Sequence, residues 1–446
     1  MTRAAFAVAL LLAAATEARA QRGERIAVPP GLGYTPPMDV YRGDGRPLGA
    51  VTTFDPTTRD TLRAEVTYYV DIARGDNSND GRTPATAFRS LWRALQGEGH
   101  RRVVVAPGRY DLPDGWRDAR PRGDLTILGP ADGPPAVITT HLPLPAAPLG
   151  DGRYRVEVPP GEDLAWGNVA DEAQPLGRRV LVRRDTAAVG PGEFFADGRV
   201  LVFRLADGRA PDADVLTLVS HGSLHPKVEG SVFLRNLEFK GGRYGIEARI
   251  PPDAVGTFDR VTARYSHGEG SVGFLLGVGG ELILHRCAGF NNYSDDFNWK
   301  DYHAHGVRTG GAGVEVHCVS RYAGQNNAVT STNATTAHGR VRLVRINGDY
   351  RFAQNRVVAD VDDARTWNVA CVAQGSRYTG PKRVWSQNWS FAGRVTAWID
   401  QCQGSNVGDT SARGWSAEGQ AQVYHHACDI DRGDNHFTTP PLPLSP

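Results

Sequence analysis

Five cysteines set a period for this chain. They fall at Cys287, Cys318, Cys371, Cys402 and Cys428, at intervals of 31, 53, 31 and 26 residues, the long interval close to two of the others. An apolar or alternating run precedes each one, and polar turns such as Cys287-Ala-Gly-Phe-Asn-Asn and Cys402-Gln-Gly-Ser-Asn follow. A strand-turn unit recurring every 25 to 31 residues or so is what stacked coils of a solenoid produce. An odd number of cysteines in an exported chain leaves at least one thiol free. Buried cysteine packs as a small apolar residue, so the spacing reads as a packing ladder rather than a set of disulfides or a metal site. The absent member is expected at Arg345-Ile346.

Composition supports strands. The 446 residues include 52 glycines and only 2 methionines, and folds built of many short strands need glycine for tight and left-handed turns. Hydrophobic residues at 40% and charged ones at 22% indicate a folded chain. Net charge is +1, and the lysines and arginines are scattered, which excludes a nucleic-acid-binding stripe.

Residues 1–20 read as a signal peptide: Arg3 is the positive start, Ala4 to Ala15 the apolar run, and Ala18-Arg19-Ala20 a small-x-small cleavage site. Glu17 and Arg19 interrupt it too early for a span of about 20 apolar residues, and no later segment is long and apolar enough. The expected location is outside the cytoplasm, secreted or periplasmic, with no membrane attachment after cleavage.

Residues 21–64 form a Pro- and Gly-rich leader, expected to be irregular. After it come Tyr68-Tyr69-Val70-Asp71, a polar turn Gly75 to Gly81, Thr83-Pro84-Ala85-Thr86-Ala87-Phe88-Arg89-Ser90-Leu91, a short helix through Ala94-Leu95, and Val103-Val104-Val105-Ala106-Pro107-Gly108-Arg109-Tyr110. This stretch closely resembles the N-terminal part of the pectate-lyase-like, right-handed parallel β-helix proteins. The resemblance implies an all-β solenoid over residues 65–446 whose open end is capped by that helix. Residues 151–218 break the rhythm with alternating strands and Asp-Gly turns, such as Glu193 to Phe203, and predict an inserted set of antiparallel hairpins. From His221 the rhythm returns, with eight to ten coils in all.

Chemistry must come from side chains that leave the strands outward or from the turns. The segment Cys287 to Cys371 is dense in them. Neighbouring coils stack about 4.8 Å apart, so residues 25 to 30 positions apart can meet. Candidate catalytic residues are Asp296, Lys300, His303, His305, His338, Arg342 and Arg345. Candidate substrate-binding residues are Asp295, Trp299, Tyr302, Tyr322, Asp363 and Trp367, the aromatics because exposed rings stack on sugars.

This set suits polysaccharide cleavage in two ways. β-Elimination of a uronate polymer needs a cation beside the carboxylate and a base, which the lysine, arginines and histidines offer. Ca²⁺ could supply the cation, held by Asp360 with Asp296 and Asp363. Hydrolysis needs two carboxylates, Asp295 or Asp296 with Asp363. The order Asp295-Asp296, His305-Gly306, Arg345-Ile346-Asn347 is loosely similar to polygalacturonase-type hydrolases, but Asn347 stands in place of their Lys, no Asn-Thr-Asp precedes the pair, and the flanking Gly pattern is absent.

The expectation is therefore a secreted, monomeric β-helix enzyme that cleaves an acidic extracellular polysaccharide. Elimination is placed first, hydrolysis second, and a non-catalytic glycan-binding protein third.

Overall fold

The structure is a computed structural model that describes residues 22–43, 49–96, 99–116, 121, 123–158, 164–220, 226–268, 270–304, 306–324, 332–376, 387–405 and 413–430. His305 and residues 1–21, the expected signal peptide among them, lie outside the described residues.

Nearly all regular structure is β, in two long parallel sheets. In the first sheet Val232–Lys240 pairs with Val255–Arg264, and each later repeat adds two short strands, such as Ala312–Val316 with Val319–Arg321 and Arg342–Ile346 with Asp349–Arg351. The second sheet takes one strand per repeat: Lys227–Glu229, Tyr244–Ile250, Val272–Val278, Phe297–Ala304, Asn333–Ala337, Arg356–Asp360, Gln387–Gly393 and Arg413–Gly419. The chain visits both sheets once per repeat and every step between these strands is parallel, which is consistent with a β-helix or solenoid.

Alternation along each strand sends one set of side chains between the sheets. Phe258, Leu276, Leu282, Leu284, Phe297, Leu343 and Trp389 belong to one continuous core there. Each repeat turns between its two first-sheet strands at a left-handed residue: Asn236, Arg260, Arg286, His317, Asn347, Ala370, Gln401 and Ala427 all have φ between 48° and 55°. Such a conformation costs a non-glycine residue roughly 1–2 kcal/mol, so the stacked neighbours must hold it.

The residue after each of these turns points inward, and from Cys287 onward it is, with one exception, the cysteine. All five thiols are free. Each bonds a carbonyl of the preceding repeat, for example Cys318 Sγ to Leu284 O at 3.5 Å and Cys402 Sγ to Asn368 O at 3.4 Å. Burial pushes the Cys318 and Cys402 thiols well above their ordinary value. The absent member of the ladder is Gly348, not Arg345-Ile346: its N–H meets Cys371 Sγ at 3.4 Å. A side chain there would collide with the Tyr350 ring, which fills the position instead.

The leader is more ordered than its composition predicts. Arg22–Arg25, Val40–Gly43 and Ala50–Thr52 form an antiparallel sheet. Leu32, Met38, Val40 and Ala50 pack on Val314, Val344, Trp367 and Trp398, the outward side chains of the first sheet. Asn347 pins it through two bonds with the Ala50 backbone, at 2.9 and 2.7 Å.

Between Ala136–Thr139 and Lys227–Glu229 stand two small sheets with their own core around Trp166, Phe194 and Phe203. One is the antiparallel pair Ala165–Asp171 with Val215–Ser220; in the other, Val182–Arg184 runs parallel to Glu193–Asp197 and the remaining pairs are antiparallel. The helix Leu91–Ala94 is a single turn with Leu91 and Ala94 buried. The Arg101 guanidinium donates to the Leu95 carbonyl just beyond it, at 2.6 Å.

Candidate functional site

The chain bends at Asp296 before entering the strand Phe297–Ala304, and the bend parts the two adjacent aspartates. Asp296 turns into the wall of the stack, where Asn292 Nδ2 donates to it at 2.7 Å and the Ser320 hydroxyl donates to its other oxygen. Burial pushes its pKa up to about 7, against those two bonds. Asp295 turns to the outer side of the second sheet. It accepts from the Asn333 backbone N–H at 2.9 Å, Asn298 Nδ2 at 2.6 Å and Thr336 Oγ1 at 2.8 Å. Asp363, expected to form the carboxylate pair with one or other of them, is held by Arg394 at 2.6 Å, so the expected pair does not form.

Asp295 is buried, and burial raises its pKa; His338, then its hydrogen-bond donors, oppose the shift. His338 sits two residues beyond Thr336 on the same side, with Nε2 3.5 Å from Asn298 Nδ2. Burial lowers its pKa, Asp295 works against that, and Asp362 on the next repeat adds to the opposing field. Lys300 is exposed beside this pair.

The register extends the surface across repeats. Asn298, Thr336, Ala359, Ser390 and Ser416 align on successive strands and point outward. All five are buried, all are small or polar, and together they floor a seam. At its N-terminal edge, buried polar atoms accumulate without a hydrogen-bond partner among the described residues: Asn298 Oδ1, Asn333 Oδ1, Gln387 Oε1 and both amide atoms of Asn355. Native structures rarely leave such groups unpaired. A row of them on consecutive repeats beside a buried acid suits a hydroxyl-rich ligand.

A second recess, of about 220 Å³, lies where the inserted sheets meet the stack. Asn168, Leu181 and Phe194 line one side, and His267, Asn292 and Tyr293 the other. His267 is buried, neither ring nitrogen has a partner among the described residues, and burial lowers its pKa to about 4. Gly167 allows the approach, since any side chain there would strike the imidazole.

Other expected site residues are elsewhere. Arg345 and Asp360 face inward, with Arg345 Nη2 to Asp360 Oδ1 at 2.8 Å and Nη1 to Oδ2 at 3.1 Å. Thr366 Oγ1 donates to the same carboxylate at 2.7 Å. Trp299 Nε1 donates to Glu315 at 2.6 Å, Thr335 does so at 2.8 Å, and the Tyr350 hydroxyl completes the network. Burial disfavours the Arg345 charge, but Asp360 and Glu315 outweigh it and the pKa is raised. This network stands between the sheets, so Arg345 and Trp299 do not face a substrate. Asp360 is no metal ligand, because the guanidinium fills its coordination. Asp296, Asp360 and Asp363 do not converge on a Ca²⁺ site, and among the described residues no group of three or more His, Cys, Asp and Glu side chains could hold a metal.

Trp367 lies under the leader, buried at the base of a recess otherwise lined by leader residues. Tyr322 stacks on Phe352, with centroids 5.2 Å apart, at the turn into the second sheet. The Tyr302 hydroxyl donates to Glu229 at 3.1 Å, and His303 is exposed one residue further on. Arg342 and Asp363 line a cleft at the far end of the second-sheet strands, with Arg308, Arg340 and Arg365. Sequence reasoning missed Asn298, Asn333, Thr336, Asn355, Gln387 and His267. The signal for the seam was a small or polar position recurring along the second-sheet strands, visible only once register is known.

No family model matches the chain, and no curated protein is similar to it. Solved structures are. One described as "Glycoside hydrolase" aligns with a TM-score of 0.51 at 10% identity, over 82% of this chain and 96% of that one. A complex of XylC with xylose aligns at 0.48 and 8% identity, over 81% of this chain and 68% of that one. The GH136 lacto-N-biosidase from Eubacterium ramulus aligns at 0.40 and 11% identity, over 81% of this chain and 55% of that one. At these identities the first likeness speaks to fold alone: this chain shares the architecture of a solved glycoside hydrolase along nearly the whole of that chain's length.

Proposed function

We propose that this protein is a secreted enzyme that hydrolyses glycosidic bonds of an extracellular polysaccharide, working as a monomer on a right-handed β-helix. The observation that carries this reading is the outward seam: Asp295, held with a raised pKa, lies beside amide atoms of Asn298, Asn333, Asn355 and Gln387 that have no partner among the described residues. Amide groups in a row match the hydroxyls of successive sugar rings, and a protonated carboxyl can give its proton to a leaving glycosidic oxygen. Asp295 is the acid in this reading. Asp362 is the second carboxylate in this reading: it accepts from the Gly339 N–H at 2.9 Å, one residue beyond His338. The likeness to a solved glycoside hydrolase over 96% of that chain is a likeness of fold, and the reading is compatible with it.

Elimination has less support. Arg345 is enclosed between the sheets, and the three aspartates expected to hold Ca²⁺ are dispersed over separate partners.

The test is incubation of the purified chain with a panel of acidic and neutral polysaccharides, following reducing ends and the ultraviolet absorbance of unsaturated uronates together. Hydrolysis gives reducing ends without absorbance. Rising absorbance would restore the lyase, and silence on both with measurable binding would mean a glycan-binding protein.

A further inference from the structure

The cleft at the opposite end of the second sheet carries more positive charge than the protein neutralises. Its volume is about 470 Å³. One wall is the strand Val307–Thr309, which folds back antiparallel on Tyr302, His303 and Ala304. The other walls are Arg340 and Arg342 from one repeat and Asp363 and Arg365 from the next.

Four arginines line the cleft against two carboxylates, Asp363, which Arg394 already takes, and Asp301, 3.8 Å from Arg340. Arg394 binds Asp363 through Nε at 2.6 Å and Nη2 at 2.8 Å. Backbone carbonyls of Gly310 and Gly33 hold Arg342 at 2.7 and 3.2 Å, and that of Gly31 holds Arg365 at 3.1 Å. Arg340 donates to the Arg308 backbone carbonyl and reaches Asp301 only at 3.8 Å. Carbonyls fix the direction of a guanidinium without cancelling its charge. The exposed Arg308 guanidinium has no partner among the described residues. The buried Thr309 hydroxyl, also in this lining, has none either. Like charges gathered in a concave site repel one another unless an anion enters.

We infer that this cleft binds the anionic groups, carboxylate or sulfate, of an acidic glycan whose chain runs across the outer face of the second sheet from the Asp295 seam. The inference rests on the reading of the protein as glycan-directed and adds the charge class of the polymer. Guanidinium forks match planar or tetrahedral oxyanions in pairs of hydrogen bonds, which explains arginine at all four cationic positions and no lysine. Distance excludes a single sugar for both sites. Asp295 precedes the N-terminal end of Phe297–Ala304, and the arginines gather near its C-terminal end. At about 3.3 Å per residue the two lie roughly 20 Å apart. The rows Asn298 to Lys300 and Thr336 to His338 lie between them.

The experiment is titration calorimetry of the full chain with oligosaccharides of one length in three forms: neutral, carboxylated and sulfated. The variants are Arg308→Ser with Arg340→Ser, both exposed and away from the leader, and Asp295→Asn separately. The wild type is expected to bind a charged form more tightly than the neutral one, and the carboxylated and sulfated arms tell which anion fits. The double arginine variant should lose about ten-fold or more in affinity for that form and nothing for the neutral one. Asp295→Asn, which removes no guanidinium, should keep the wild type's preference for the charged form. Equal binding of neutral and charged forms by the wild type, or unchanged affinity in the arginine variant, overturns the inference. A wild type that binds the charged form through these arginines yet releases no reducing ends overturns the hydrolase reading alone.

Discussion

The guanidinium of Arg345 and the carboxylate of Asp360 meet in a two-pronged hydrogen bond, and neither side chain has any exposure to solvent. The pair comes from adjoining segments of one repeat, Arg345 from the first sheet and Asp360 from the second. Removing one partner strands the other as an uncompensated buried charge. Arg345→Ala should therefore lower stability by about 3–5 kcal/mol, seen as an early denaturant midpoint. Replacing both, with Arg345→Met and Asp360→Leu, should recover much of the loss. A single variant as stable as the wild type would show that the pair is open to water.

Asp295→Asn tests the acid. It keeps the shape and removes the transferable proton, so glycan cleavage should fall by about 10²–10⁴-fold. Affinity for the same polymer should change much less. Parallel measurement of turnover and binding separates this from a general loss of the seam, in which both would collapse.

Asp296 gives the protein a stability cost that grows as pH rises toward neutrality. Its carboxyl holds a proton up to about pH 7 when folded and releases it near 3.8 when unfolded. Between those values the folded state binds more protons, so stability falls as pH rises, by roughly 4 kcal/mol at most. Asp296→Asn should flatten that limb. Denaturation midpoints measured across the range should show the variant gaining on the wild type toward neutral pH.

His267 supplies the acid limb. Its ring stays neutral down to about pH 4 when folded, against 6.5 when unfolded. The stability it contributes is whole above 6.5 and is lost as pH falls toward 4. His267→Gln should blunt the acid loss, and unfolding followed by tyrosine and tryptophan fluorescence would report it. An unchanged acid limb would mean that the ring titrates in contact with water.

Gly348→Ala should destabilise by about 1–3 kcal/mol through overpacking against Tyr350. Pairing it with Tyr350→Leu should remove most of that strain. The comparison is a double-mutant cycle on denaturant midpoints.

The period of the cysteines carried the architecture because each repeat offers the same inward position to the one before it, and a packing position tolerates only small apolar groups. The same logic misplaced the absent member. Gly348 has no side chain to mark it, and Tyr350 fills its space from two residues away. Charge density was a poorer guide to the site. Asp295 and Asp296 are neighbours in sequence and part at a bend, while Arg345, Asp360 and Trp299 look functional in sequence and serve a buried network. Trp367 reads as a sugar platform until the leader is seen on top of it. The seam has no short motif, because Asn298, Thr336, Ala359 and Ser390 come from four strands and only register aligns them.

The leader binds partners far downstream: Gly31 holds Arg365, Gly33 holds Arg342, and Ala50 clasps Asn347. Its docking surface consists of side chains from Ile283 to Trp398, contributed by successive repeats. A ribosome makes the leader before any of these partners, so it has nowhere to settle until most of the stack has formed. Loop closure over that separation makes its attachment a late step. Until then Leu32, Met38 and Val40 on one side, and Val344, Trp367 and Trp398 on the other, stay open to water. In a chain exported as proposed, the interval between emergence and docking is the time in which those two apolar surfaces can find the wrong partner.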